Sequence, residues 1–483
     1  MKPKHTQVPM STKVFFGLGM LAMQMFPAAL GVFMVVLVQD FGFDPVMWGL
    51  IFFLPRVVDA ITDPIMGFIS DNTRSQWGRR RQYIFVGAIL MGITFITMWQ
   101  LYPENGLTYN FWYFLILSVV FYLGLTIFSV PYVALGYEMS NDFHERTRIM
   151  AIAQWIGQWA WVIVPWFWVI IYDDSWFSSP ESGTRTLAIY VSLFCTALAL
   201  VPALFIKGKS SLHDENLTEI TFANIKTTFW TLIKGFVEAA QNTPFVRLCA
   251  ATFFIFNSFQ TIAAFSFFII VYYLFQGDAG AAGIWPTLHG SVGALLTTFL
   301  VIPIVTRMSE KIGKKKTFMI SQAISIVGYI LFWFLFIPGK PYMFLFALPL
   351  FSFGIGGLFT LMMSMTADTC DLDELKNGLP RKEATFGAIY WWMVKFGTAL
   401  AGLLSGLIMS YVGFDANLAE QPEGAMTGLR IFYTVFPAIG TLIAIYIMKN
   451  YDISEERAKE ISSILAERNK KTNQDLDYMG KHL

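Results

Sequence analysis

Residues 45–81 read PVMWGLIFFLPRVVDAITDPIMGFISDNTRSQWGRRR. The run over 45–70 is long and apolar enough to cross a bilayer, which takes roughly 20 residues of helix. A block of cations, Arg74, Arg79, Arg80 and Arg81, follows it directly. An apolar span ending in a basic loop is the pattern of a membrane helix whose following loop stays in the cytoplasm. Three charges interrupt the span: Arg56, Asp59 and Asp63. A charge at the bilayer centre costs at least ~2.5 kcal/mol on insertion scales, so each marks either a pathway or a buried pair.

The rest of the 483-residue chain extends the pattern, with 55% hydrophobic and only 14% charged residues. A globular domain carries roughly 25% charged residues and could not cover its surface with so few. Further apolar runs lie near 14–38, 83–102, 109–137, 148–172 and 185–206. After a polar stretch they resume near 245–275, 281–306, 317–337, 341–367, 385–412 and 427–449. The expectation is an all-α membrane protein with twelve transmembrane helices. The first run is too long for a signal-peptide core and reads as a retained span. A net charge of +1 argues against a nucleic-acid partner. Cys195, Cys249 and Cys370 show no metal or redox spacing and read as packing residues.

Cations set the orientation. Arg146 and Arg148, then Lys311, Lys314, Lys315 and Lys316, then Lys376, Arg381 and Lys382 fall in alternate loops. Both termini are therefore expected in the cytoplasm of a plasma (bacterial inner) membrane. The loops also repeat: Trp77-Gly78-Arg79-Arg80-Arg81 follows the second span and Ile312-Gly313-Lys314-Lys315-Lys316 follows the eighth. Two six-helix halves are expected over 1–206 and 245–449. Between them lies a cytoplasmic loop over 207–244, and a tail follows over 450–483. Two such repeats form a transporter architecture with the substrate site between them. Within the loop, Ile220, Phe222, Ile225, Phe229, Ile233, Phe236 and Val237 recur at helical spacing, suggesting an amphipathic helix on the membrane face with a structural role.

Asp59 and Asp63 are four residues apart, so both carboxylates share one helix face. Such a pair shares a proton, binds an ion such as Na+, or is neutralised by Arg56 or Lys395. Thr62 adds a hydroxyl. Lys395, deep in the eleventh span, needs an anion, and these two carboxylates are the natural partners. In the fifth span Gln154 and Gln158 share a face beside Trp155, a pattern that suits sugar hydroxyls and an apolar ring face. Gln24, Thr126, Ser129 and Tyr132 are further polar candidates in the first and fourth spans, with Trp391 near Lys395. Asn257, Gln260 and His289 read as packing residues. No phosphate loop, nucleophile elbow or metal-site spacing is present, so the chain does not read as a pump or an enzyme.

The blocks Arg56-Val-Val-Asp59-Ala-Ile-Thr-Asp63-Pro-Ile-Met-Gly67, Asp71-Asn-Thr-Arg74-Ser-Gln-Trp77-Gly78-Arg79, Ala367-Asp368-Thr-Cys-Asp371-Leu-Asp-Glu374-Leu-Lys376-Asn-Gly378 and Val394-Lys395-Phe396-Gly397 resemble the glycoside–pentoside–hexuronide:cation symporters. That group is a branch of the major facilitator superfamily. The resemblance implies the major facilitator fold, cation-site roles for Asp59, Asp63 and Thr126, and a place for Lys395 near the cation and sugar sites. It implies a cytoplasmic gate at Asp368, Asp371, Arg381 and Glu383. Arg74, Arg79 and Arg80 face Asp368, Asp371, Glu374 and Glu383 on the same membrane side, and pairs across the halves are expected to hold that side shut.

The chain departs from the melibiose-permease pattern in three places. Gln24 stands where that pattern has a sugar-binding aspartate, Ser129 where it has a third cation-site carboxylate, and Thr62 where it has an asparagine. Galactoside recognition does not transfer, and the lost charge favours H+ over Na+ as the coupling ion. The expected function is cation-coupled symport of a sugar, glycoside or uronide by alternating access. Expected substrate-binding residues are Gln24, Arg56, Tyr132, Gln154, Trp155, Gln158, Trp391 and Lys395. Thr62, Thr126 and Ser129 complete the cation site. No cofactor is expected beyond H+ or Na+, and the protein is read as functional as a monomer in the lipid bilayer. Two alternatives are transport of another organic or amphipathic lipid solute on the same fold, and a non-transporting solute sensor.

Overall fold

The computed structural model describes residues 7–140, 143–208, 210–212, 218–377, 383–416, 418, 420–422, 424–461, 463–465 and 467–468. Among these, twelve helical segments are long and apolar enough to cross a membrane. The first six spans are α1 (Met10–Gln39), α2 (Pro45–Asn72), α3 (Arg81–Met98), α4 (Leu107–Glu138), α5 (Phe143–Ile163) continued by α6 (Trp166–Ile171), and α7 (Pro180–Phe205). A helix between the halves, α8, covers Phe222–Ala239. The second six begin with α9 (Thr243–Phe268), which runs on into a π-helical turn over Ile269–Leu274. The eighth span is assembled from α10 (Ala279–Ala282), α11 (Trp285–Leu295), a π-helical stretch over Leu296–Val301 and α12 (Ile302–Ile312). Then come α13 (Lys314–Leu335), α14 (Leu348–Asn377), α15 (Glu383–Tyr411) and α16 (Ala425–Lys449).

Two spans differ from the continuous helices expected. Pro165 lacks the N–H that would continue α5, and the chain restarts as α6. Gly283, at φ 47°, turns the chain between α10 and α11.

The pattern of neighbours falls into two sets of six spans. In the first, α1 packs on α5 and α7, α2 on α4, and α3 on α4 and α7. In the second, α9 packs on α15 and α16, α12 on α14, and α13 on α14 and α16. Shifting by six spans maps the first set onto the second. The loop repeat has the same basis: Gly78 and Gly313 take φ of 88° and 84°, and each opens into a helix beginning with the basic cluster. The halves meet through α2 against α15 and through α5 and α6 against α11.

These contacts lie at the end of the molecule opposite the basic loops. Gly49, Gly402 and Gly406 let α2 and α15 approach closely, since a Cβ on Gly406 would collide with the Pro45 carbonyl and one on Gly402 with the Phe52 ring. Small residues are the usual device for such approach in membranes. Thr287 Oγ1 donates to the Pro165 carbonyl at 2.7 Å, Ser291 Oγ to Val162 at 2.7 Å, and the Trp168 indole N–H to Gly283 at 3.2 Å. No comparable contact joins α4 and α5 to α14 and α15 at the basic end among the described residues. Among the described residues the spans of the two halves close together at one end and stand apart at the end with the basic loops, where α8 packs on both α2 and α15.

Candidate functional site

The charged segment of α2 lies between Pro55 and Pro64, each of which omits one backbone hydrogen bond. Asp59 is buried and Asp63 half-buried, one turn apart. From α4, Thr126 Oγ1 lies 2.6 Å from Asp59 Oδ1 and 3.2 Å from Asp63 Oδ1. A hydroxyl has one proton to donate, and the shorter contact marks Asp59 as its acceptor. Thr126 then has lone pairs left for a proton held on Asp63. Thr62 Oγ1 bonds back to the Val58 carbonyl at 3.0 Å and lies 3.3 Å from Thr126 Oγ1.

From α15, Lys395 Nζ reaches Asp59 Oδ2 at 2.8 Å and also pairs with Asp63 Oδ2. One ammonium therefore bridges two carboxylates from the opposite half, and the three groups carry one excess negative charge. Arg56, one turn away on α2, donates from Nη1 to the Phe52 carbonyl at 2.7 Å. Its guanidinium lies 3.6 Å over the Phe52 ring and 5.3 Å from that of Tyr122. Among the described residues no carboxylate forms an ion pair with it.

The sugar candidates divide. Gln24 on α1 meets Gln154 on α5 at 3.4 Å and accepts from the Trp161 indole N–H at 2.9 Å. Trp155 and Gln158 face a separate cleft with Trp159, Val162, Thr298 and Phe299, where α5 approaches the π-helical part of the eighth span. Trp391 is exposed on α15. Tyr132 is placed elsewhere: it is fully buried, stacked on Phe16 and Phe128, and bonded to the Phe16 carbonyl. Its hydroxyl is used within the first half, away from the Asp59–Lys395–Asp63 cluster. Ser129 is half-buried one turn beyond Thr126 and makes no bond to either carboxylate.

Three of the expected gate residues, Arg79, Arg80 and Asp368, pair within their own halves. Arg79 and Arg80 both bond Glu138, and Arg80 also Asp71. Asp368 pairs with Lys314 at 2.8 Å and Glu374 with Arg468 at 2.7 Å. Asp371 is half-buried and Arg74 exposed. Arg381 lies outside the described residues, as does the side chain of Glu383. Trp161, Glu138 and Tyr122 were not singled out from the sequence. Glu138 had a legible signal, an acidic residue ending the fourth span on the basic side. Tyr122 stands one turn before Thr126 on the same face.

The family model described as MFS/sugar transport protein matches residues 15–455. The chain is 26% identical to the glucuronide carrier protein homolog of Escherichia coli, covering 86% of each chain. It is 22% identical to the isoprimeverose transporter of Lactiplantibacillus pentosus, covering 95% of this chain and 91% of the other. Among solved structures it superposes on a bacterial homolog of the human lysosomal transporter Spinster, in an inward-facing and unoccupied conformation. That match has a TM-score of 0.66 at 14% identity and covers 93% of this chain and 98% of the other.

Proposed function

This chain belongs to the MFS/sugar transport protein family, among its glycoside–pentoside–hexuronide:cation symporters, and from that premise we propose that it couples entry of a saccharide or glycoside to a cation held at Asp59 and Asp63. The observation that carries this is the Asp59–Lys395–Asp63 bridge: two carboxylates of one half held by an ammonium of the other. A proton or Na+ arriving at the carboxylates competes with Lys395 for the same oxygens. Displaced, the ammonium is free to turn to the solute, and the tie between α2 and α15 loosens. Ion binding and helix movement are then one event, which is what coupling requires. H+ is favoured over Na+, because only two carboxylates are present and Lys395 already neutralises one of them. Thr62 and Thr126 hydroxyls are the oxygens a Na+ ion would use.

The positive-inside rule puts the basic loops and both termini in the cytoplasm of the bacterial inner membrane. The state described above is then inward-open. The site is reached from the cytoplasm, with Gln24, Gln154 and Trp391 as the saccharide-facing groups, and Trp155 and Gln158 line a separate cleft. Arg56 favours an acidic sugar within this class. With the pair cation-loaded, Arg56 and Lys395 leave the four-group cluster with one excess positive charge, which a uronate carboxylate would cancel. The test is uptake by purified protein in proteoliposomes over a panel of neutral saccharides and uronides, with imposed H+ or Na+ gradients. Gradient-driven accumulation of one solute class is expected. Its absence for every saccharide, with binding alone retained, would favour a sensor.

A further inference from the structure

The helix α8 is anchored on both halves. Before it, the connector runs along the end of α2: Ser211 Oγ donates to the Thr73 carbonyl at 2.8 Å, and the Thr218 N–H donates to Asn72 Oδ1 at 2.9 Å. The helix begins with Thr221 as its cap, the side-chain oxygen accepting from the Asn224 N–H. Its far end packs on the second half. Gly235 lies close against Thr385, Phe236 meets Trp392 edge-on at 5.4 Å, and Ala239 is buried in a cluster with Phe245, Cys370 and Phe386. Trp392 is three residues before Lys395, and Asn72 ends the helix that carries Asp59 and Asp63. The helix thus links the two elements of the ion site at their basic ends.

Among the described residues nothing covers its outer face. Phe222 is 83% exposed, Trp230 58% and Val237 59%, and Phe229 and Ile233 are exposed beside them. At 100° per residue these side chains fall on one stripe. Lys226 lies within that stripe and Lys234 at its edge, both exposed. A stripe of Phe, Trp, Ile and Val would not stay in water. The helix sits where the spans emerge, so the nearest apolar medium is the bilayer. Lysines in and beside an apolar stripe suit a headgroup layer, because their stems lie along lipid while the ammonium reaches the phosphates.

We propose that α8 is an interfacial helix that inserts Phe222, Trp230, Ile233 and Val237 into the inner leaflet, sets Lys226 and Lys234 on anionic headgroups, and so makes the opening of the cytoplasmic end depend on lipid charge. The lipid acts because α8 holds α2 and α15 together from below. Anionic lipid pins the helix and restrains their separation, whereas a neutral surface leaves it looser. The choice of leaflet rests on the orientation given above; insertion itself does not rest on transport.

The test uses the full chain in nanodiscs of phosphatidylcholine, alone or mixed with phosphatidylglycerol. The three native cysteines are buried, so single cysteines at Phe222, Trp230 and, as a polar-face control, Thr231 can carry an environment-sensitive fluorophore. Positions 222 and 230 are expected to be blue-shifted and quenched by nitroxide-labelled lipid, with 231 unaffected. Spin labels at Gln76→Cys and Lys376→Cys, both exposed positions at the basic end, should report a longer mean separation without phosphatidylglycerol. The Lys226→Gln, Lys234→Gln double variant should lose that lipid dependence while keeping its apolar insertion. Water-accessible labels at 222 and 230 in both bilayers would overturn the proposal. So would protection that appears in detergent as protein concentration rises, which would mean a second copy covers the face. Equal separations in the two lipids would overturn the conformational part. None of these readouts needs a substrate, so failure to find a transported saccharide leaves them standing, and their failure leaves the transport proposal standing.

Discussion

Asp63 and Lys395 lie 332 residues apart and meet in one ion pair that also includes Asp59. A lysine inside a span is tolerated beside an anion or in a wet cavity, and here it has two anions. If these groups couple the ion to the solute, Asp63→Asn removes the charge and keeps the shape. Uphill accumulation should then fall to a ratio of about 1, the value for no coupling, while counterflow exchange survives. Accumulation equal to that of the unmodified protein, at matched expression, would remove Asp63 from the site. Lys395→Ala leaves two adjacent carboxylates with no fixed cation. Protonation then relieves their repulsion in place of the ammonium, so the pH profile of transport should shift and its maximum rate should fall. An unshifted profile would mean that Lys395 does not compete with the transported ion.

At the scale of the element, the closed end depends on how nearly helices can touch. A side chain on Gly406 would overlap the Pro45 carbonyl and the Gly49 backbone, which cannot swing aside. Gly406→Val should therefore push α2 and α15 apart and shift the population toward the outward-open state. Spin labels at Trp176→Cys and Ala281→Cys, on exposed positions either side of the closure, should then show a longer distance. The same closure has a titratable support. Asp40, at the end of α1, accepts from the Tyr172 hydroxyl, and the Tyr172 ring lies against Trp168, which crosses to Gly283. Burial lifts the Asp40 carboxyl from 3.8 to about 7; the Tyr172 bond opposes this and Glu181 adds to it. A carboxyl with a raised pKa binds its proton more tightly in the closed state than in one that exposes it to water. The closed state is thus relatively favoured at acid pH and loses that advantage as pH rises from about 4 to about 7. The same label pair should lengthen over that window, and Asp40→Asn should flatten the response.

Over the whole molecule, alternating access needs contacts that exist in one state only. In this arrangement Arg79 and Arg80 are held by Glu138 and Asp71 and Asp368 by Lys314, each within a half, while Glu374 is held by Arg468 of the tail. If these groups form the gate, closing the basic end should exchange some of them for pairs across the halves. Glu138→Gln should release the two arginines and favour closure, read as a shorter distance between labels at Gln76→Cys and Lys376→Cys. An outward-open structure with every pair unchanged would leave the cations as topology signals alone.

The twelve spans, the six-span repeat of the basic loops and the spacing of Asp59 and Asp63 are legible because each is written in local sequence. Apolar runs of bilayer length, Gly-plus-cation loops six spans apart, and a spacing of four on one helix need no knowledge of distant residues. The identity of Lys395 as a partner followed from the cost of an unpaired charge in lipid, although not which oxygens it would bridge. Other features depended on tertiary packing. The partner of the Tyr132 hydroxyl, the Phe16 carbonyl, is set by the approach of α1 to α4. The separation of Gln24 and Gln154 from Trp155 and Gln158 depended on which faces of α5 meet α1 and the eighth span. Which end is closed was beyond the sequence altogether. The same side chains serve both states, and only the helix arrangement says whether Gly406 touches Pro45 or Arg79 touches Glu138.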